Sequence, residues 1–291
     1  MKLAATLRFI IKLLVIAGVV VAIVAAVMLW PASTAGPCVV EHRTTIAELP
    51  EASGLAVSRR TPGILWSHND SGNETVLFAL DTSGALRGRV RVPVRTRDWE
   101  DVSAARCPAG DCLYISDIGD NRLARSQIRI YRVPEPAPGD AETAKPEVFT
   151  AVYADGPHNA EALFVIGEDV FVVARERLGP LYRGTLPSSG SGDLKLERIG
   201  ELGLAPVTDA ETSPDEASIV VRTSKVAVIY RTADVVRGGV VQTGLSIPIE
   251  ELREPQGEGV ALDARGTLFL ASEGRPWNRA GRFLGLRCTL Q

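Results

Sequence analysis

Leu55-Ala-Val, Ile64-Leu-Trp and Val76-Leu-Phe-Ala-Leu, closed by the turn Asp81-Thr-Ser-Gly and followed by the alternating run Arg89-Val-Arg-Val, are four short strand-like segments set one after another. The same order returns along the chain. It restarts at Asp98-Trp-Glu-Asp-Val, with Leu113-Tyr-Ile and Ile128-Arg-Ile-Tyr. It restarts again at Asn159-Ala-Glu-Ala-Leu, with Val170-Phe-Val-Val and Leu181-Tyr-Arg. Thr208-Asp-Ala-Glu opens a fourth round, with Ser218-Ile-Val-Val and Val226-Ala-Val-Ile-Tyr. Gln256-Gly-Glu-Gly-Val opens the last, with Leu268-Phe-Leu and Phe283-Leu-Gly-Leu. The aligned starts Ser53, Glu100, Glu161, Asp209 and Glu258 are spaced by 47, 61, 48 and 49 residues, and the long gap holds a Pro-rich insert, Pro134 to Pro146.

Gly, Pro, Asp and Asn separate the segments, and no long helical pattern interrupts them, so the class is all-β. A period of about 40–50 residues with four strands per unit is the mark of a β-propeller. A β-sandwich has turns at similar intervals but gives no reason for one strand order to return. The sequence therefore predicts a propeller of four-stranded blades over residues 37–291, five by count, with a sixth, weakly marked blade as the alternative. The last round shows three strands before the chain ends. Its missing outer strand is expected from the other end of the domain, the run Val39 to Leu49.

Four cysteines, Cys38, Cys107, Cys112 and Cys288, make an even set suited to disulfides outside the cytoplasm. Cys107 and Cys112 flank the turn sequence Pro-Ala-Gly-Asp. Cys38 would open the borrowed strand and Cys288 ends its neighbour, which sets them opposite in an antiparallel pair. The alternative is free thiols. No His-Cys spacing supports a zinc site.

Ahead of this domain, residues 1–36 form a different region. Lys2, Arg8 and Lys12 precede a stretch from Leu13 to Trp30 without a charged residue. About 18–20 apolar residues cross a hydrocarbon core as a helix. The basic residues keep the N-terminus inside and send the rest out. The expectation is a transmembrane helix contacting the membrane through residues 13–30, with the C-terminal domain extracytoplasmic. A cleaved signal peptide, with small residues Ser33-Thr34-Ala35 after Pro31, is the alternative and would make the protein secreted. Pro37 fits a lipidation site at Cys38 poorly. Beyond the segment, 29 basic residues face 35 acidic ones, a formal −6, which argues against nucleic acid.

First strands of propeller blades line the central channel, and four of the five aligned starts are acidic. Glu100, Glu161, Asp209 and Glu258 converging on one axis repel unless protons, basic side chains or a cation intervene. Three readings stand: a bound hard cation such as calcium, neutralisation by arginines such as Arg175 and Arg222, and solvated rims. The loops after the second strands, His68-Asn69-Asp70, Asp117-Ile-Gly-Asp-Asn, Arg175-Glu176, Arg222 and Glu273, add polar groups that turns also favour for their own reasons. His68 and His158 are candidate catalytic bases, against an incidental structural role. No Gly-x-Ser-x-Gly elbow, His-Glu-x-x-His or phosphate loop is present. Trp66, Trp99 and Trp277 read as blade packing more than as a sugar platform.

Trp66-Ser-His-Asn-Asp-Ser-Gly, Asp98-Trp-Glu-Asp, Ile118-Gly-Asp-Asn, Ile130-Tyr-Arg-Val-Pro-Glu-Pro and Asn159-Ala-Glu-Ala resemble a group of bacterial exported proteins. That group is similar to the TolB-like propeller superfamily, with its regucalcin/gluconolactonase, paraoxonase and phytase-like members. The resemblance spans most of residues 50–275. It implies calcium at the channel mouth on Glu, Asp and Asn side chains, which suits Glu100, Glu161, Asp209 and Glu258, and in some members hydrolysis of lactones or esters. Two departures stand out. Those relatives usually have six blades, and Glu211 falls where an apolar strand residue is expected.

The functional expectation is a membrane-tethered propeller that binds a ligand or partner at an acidic, calcium-occupied mouth. The alternatives are a metal-dependent hydrolase of lactones, esters or phosphoesters, and a cell-envelope scaffold that docks another protein.

Overall fold

Most of the segments quoted above are continuous apolar runs, and successive side chains of a strand point to opposite faces, so each sheet needs cover on both sides. The computed structural model describes residues 14–21, 33–188, 190–274 and 280–290 and shows how that cover is supplied. Residues 14–21 are helical, and no helix among the described residues is long and apolar enough to cross a membrane. Most of the expected 13–30 span lies outside the described residues, as does Trp277.

Strand β1 (Thr34–Ala35) pairs with β2 (Cys38–Ile46). The first four-stranded unit is β3 (Ala52–Val57), β4 (Ile64–Asn69), β5 (Val76–Asp81) and β6 (Leu86–Arg91). The second is β7 (Trp99–Cys107), β8 (Gly110–Asp117), β9 (Ile128–Pro134) and β10 (Glu147–Tyr153). The third is β11 (Ala160–Ile166), β12 (Asp169–Ala174), β13 (Pro180–Thr185) and β14 (Gly192–Glu201). The fourth is β15 (Asp209–Thr212), β16 (Ser218–Arg222), β17 (Val226–Arg231) and, after the short β18 (Gly239–Val240), β19 (Leu245–Pro248). The fifth is β20 (Gln256–Leu262), β21 (Thr267–Glu273) and β22 (Gly281–Cys288), with β2 as its outer strand. Neighbours within each unit run antiparallel. The outer strands β10 and β14 pair in parallel and join units two and three into one sheet.

Among the described residues the apolar side chains form five clusters, each between two consecutive units. Ala56, Trp66 and Leu77 meet Val102 and Ile115, and Tyr114 and Phe149 meet Leu163 and Val172. Phe164 and Phe171 meet Ile219 and Tyr230, and Val220 and Ile247 meet Val260 and Leu284. Leu55 and Phe78 meet Phe269 and Phe283, so the last unit packs on the first and the arrangement returns on itself as a β-propeller does. Trp66 and Trp99 are both buried in the cluster between units one and two, which is the packing role expected of them.

Closure uses the strand predicted for it. β2 pairs with β22, Cys38 stands directly opposite Cys288, and the two are joined by a disulfide across 250 residues. Cys107 and Cys112 form the second disulfide at the β7–β8 turn. The Pro-rich insert forms a parallel bridge to the end of β6: the Arg91 N–H donates to the Ala141 carbonyl and the Thr143 N–H to the Arg91 carbonyl.

Candidate functional site

In four of the five inner strands the pairing with the second strand skips one residue. The skipped residues are Gly54 in β3, Glu100 in β7, Glu161 in β11 and Glu258 in β20. A β-bulge re-aims the side chain of its extra residue, so three glutamates leave the alternation of their strands at one level of the ring. The equivalent position in the first unit is Gly54, one residue beyond the Ser53 that spacing alone indicates. A Cβ there would stand 2.7 Å from both Asp101 Oδ1 and the Val102 nitrogen, and φ is +38°, so a carboxylate is excluded from that place. In the fourth unit β15 pairs without a skip, and Asp209 is wholly buried, accepting the Val260 N–H.

At the mouth, Glu100 comes together with two acids from loops. Asp70 follows β4 and Asp98 precedes β7, and one oxygen from each of Asp70, Asp98 and Glu100 lies within 4.8 Å of the others. Gly119 lets the loop after β8 fold onto them, because a Cβ there would collide with Glu100 Oε1 and lie 2.6 Å from Asp98 Oδ2. None of the three acids makes an ion pair among the described residues. Burial, then Asp70, Glu161, Asp98 and Glu258, push the Glu100 carboxyl up to about 10. Burial also raises Asp70 and Glu258, and pushes Glu273, with Glu258 and Asp70 beside it, up to about 7.

The other two bulge glutamates have partners. Glu161 is paired with Arg175, and burial still pushes it up to about 7. Glu258 accepts from the Gln256 amide at 2.9 Å. Arg222 is committed elsewhere: buried, it pairs with Glu254 at 2.8 Å and donates to the Gly259 carbonyl at 3.0 Å. Of the four acids expected to share one cation, the structure therefore groups only Glu100 in a ligand set, with Asp70 and Asp98. An all-oxygen set of close, unpaired carboxylates in a half-closed site suits a hard divalent cation, which would relieve their mutual repulsion.

Beside these lies a second group of acids, of which spacing marked only Asp209, as one of the four expected cation ligands. Asp101, Asp209 and Glu211 are buried. Asp101 accepts the Val102 N–H at 2.6 Å and the Leu163 N–H at 2.7 Å, and Glu211 accepts the Ala104 N–H at 3.1 Å. With Asp209 on Val260, these side chains tie inner strands of different units together. Ser53 donating to the Glu100 carbonyl at 2.7 Å does the same between units one and two. Burial pushes Asp101 up to about 7 and raises Asp209 and Glu211 well above the carboxylate range. The one available signal was an acid within an apolar strand, as at Glu211.

The two histidines occupy different settings. His68 is fully buried, stacked on Trp99 at 4.0 Å between ring centroids, with Nδ1 2.9 Å from the Asn69 carbonyl. Burial lowers it to about 3, so its ring is neutral and packed. His158 is half-buried and sits in a network of its own. Its Nδ1 is 2.9 Å from Glu176 Oε1, and its Nε2 is 2.7 Å from the Tyr182 hydroxyl and 3.0 Å from Asp155 Oδ1.

No family model matches the sequence, and no curated protein is similar to it. Similar solved structures exist at low identity. A gluconolactonase from Xanthomonas campestris is 11% identical over 88% of this chain and 92% of that one, with a TM-score of 0.47. A luciferin-regenerating enzyme is 12% identical over 84% and 94%, with a TM-score of 0.42. Hydrazine synthase of Kuenenia stuttgartiensis is 14% identical over 79% of this chain and 58% of that one, with a TM-score of 0.41.

Proposed function

We propose that this chain is an extracytoplasmic, five-bladed β-propeller, held at the membrane through residues 13–30, that binds a ligand through a divalent cation seated on Asp70, Asp98 and Glu100. The observation that carries the reading is the convergence of these three carboxylates from three separate stretches of chain, with no cationic side chain among the described residues paired to any of them. The five apolar clusters, the last joining unit five to unit one, support the blade number. Two disulfides among four cysteines support the compartment. Calcium is the first ion to try, because it accepts several oxygen ligands in flexible geometry. A ligand bringing its own oxygens would complete such a shell.

The test is thermal unfolding of the full chain in mild detergent, with a chelator and then with increasing free calcium. An ion that binds only the folded state raises the midpoint as its concentration rises. The shift should disappear when Asp70→Asn and Glu100→Gln are combined. Equal midpoints with calcium and with chelator, and no response to other divalent ions, would end the cation reading.

A second reading is a metal-dependent hydrolase of lactones, esters or phosphoesters. The observation favouring it is the His158 ring, with a carboxylate at one nitrogen and a hydroxyl at the other, an arrangement able to hold and move a proton. A bound cation supplies polarisation of a substrate oxygen. Turnover of a panel of those substrates should fall at least about a hundredfold in His158→Ala. A panel silent at every metal tested would leave the binding function alone.

A further inference from the structure

Next to the acidic mouth, and outside it, is a cleft of opposite character. It has a volume of about 240 Å³ and is lined by Arg97, Ala124, Arg125, Ser126, Gln127 and Arg129, with no acidic residue in its wall. Arg97 leads into β7, and the other residues belong to the loop and strand start between β8 and β9. The sequence is therefore Arg-rich on both sides of one opening.

Arg125 is the built part of the cleft. It is 8% exposed, its guanidinium pairs with Asp117 at 2.9 Å, and it donates to the Gly119 carbonyl at 2.8 Å and the Asp117 carbonyl at 3.0 Å. Its backbone N–H is held by Asp120 Oδ2 at 2.7 Å. Asp117 is saturated in turn, accepting the Arg97 and Asp98 N–H groups at 3.1 and 2.9 Å. Arg125 is therefore held in place, and its charge is balanced by Asp117, which does not itself line the cleft. Arg97 and Arg129 are exposed at the rim, and neither makes an ion pair among the described residues. Arg129 stands beside the Tyr131 hydroxyl.

The guanidinium groups of Arg97 and Arg129, the fixed one of Arg125, the Ser126 hydroxyl and the Gln127 amide around one concavity match a compact oxyanion carrying about two negative charges. A phosphate monoester has that charge near neutral pH and enough acceptor oxygens for all five donors. A carboxylate has half the charge and fewer acceptors. Arginine is the side chain suited to planar, two-point recognition of phosphate oxygens. We infer that the cleft between Arg97, Arg125 and Arg129 is an anion site for the phosphate monoester group of a ligand. It adjoins the acidic mouth through the Arg97-Asp98 segment and the Gly119 loop, and none of its lining residues belongs to the acidic group.

The test is calorimetric titration of the full chain in detergent, at constant ionic strength and with chelator present, so that no cation takes part. The probes are inorganic phosphate, glycerol phosphate and acetate. Saturable binding of both phosphates is expected, with acetate at least about tenfold weaker. Arg97→Gln with Arg129→Gln should weaken phosphate binding by about tenfold or more while leaving the unfolding midpoint in chloride buffer unchanged, because both side chains are exposed. Dihexanoyl phosphatidic acid carries the same group on a lipid. Tighter binding than glycerol phosphate would assign the group to a lipid, and equal or weaker binding to a soluble ligand. Phosphate binding that is no tighter than acetate binding, or that survives the double substitution, overturns the inference.

Discussion

Glu100 is the residue on which the mouth turns. Its carboxyl is pushed from its ordinary value up to about 10 by burial and by neighbouring acids. A carboxyl raised in the folded state favours folding while it holds its proton. That contribution is lost as pH rises above the unfolded-state value and through the folded one. With chelator present, the parent protein should therefore lose stability between about pH 4.5 and pH 10. Glu100→Gln should melt higher than the parent at pH 8 and equal to it at pH 4, as measured by thermal unfolding. Added calcium should close the gap at pH 8, because it stabilises the ionised parent and finds fewer ligands in the variant. Gly54 is the second decisive residue. With φ at +38° and its missing Cβ facing Asp101 and Val102, Gly54→Ala should cost about 2 kcal/mol or more in urea unfolding. Spacing singled out Glu100, Glu161, Asp209 and Glu258 because they recur at the starts of the inner strands. It passed over Asp70 and Asp98 as cation ligands because each lies in a loop whose course depends on a neighbouring unit.

At the scale of elements, the recurring device is an inner strand with one residue out of register, tied to the next unit by a buried side chain. Asp101 gives two oxygens to backbone N–H groups of β7 and β11, at 2.6 and 2.7 Å. Asp101→Ala leaves two buried donors without acceptors, at about 1–3 kcal/mol each. The substitution also removes an acid that lies against Asp209 and is pushed up to about 7. Below that pH the carboxyl is protonated, so its removal relieves no charge. The loss in urea unfolding should then be larger at pH 5 than at pH 8. Short apolar runs bounded by turn residues made these strands legible, since such runs are a local property of the chain. The bulges were not legible, because a skipped residue is defined only by the strand opposite.

For the whole molecule, the decisive feature is closure. β2 comes from the start of the domain, completes the last sheet, and is fixed there by Cys38–Cys288 over 250 residues. The chain-entropy model gives a loop of that length about 5 kcal/mol of stabilisation, and the Cys107–Cys112 loop about 2 kcal/mol. Replacing Cys38 and Cys288 by Ser should thus lower the urea midpoint more than replacing Cys107 and Cys112. A larger effect from the short loop would mean that closure contributes little to keeping the ring intact. The propeller was readable in advance because every round repeats the same strand order, and the final round stops one strand short.

What the sequence made legible was the all-β class, the recurrence of four-stranded units, the strand that closes the last sheet and the expected pairing of the cysteines. Each follows from periodicity and spacing, which the chain carries locally. Tertiary structure alone decided which acids meet. It gathered Asp70 and Asp98 around Glu100, gave Glu161 to Arg175, sank Asp209 beneath the mouth and packed the His68 ring against Trp99. The reason is physical. A carboxylate's role depends on which charges and backbone groups lie within a few ångströms, and strand register and loop approach set those distances between units far apart in the chain.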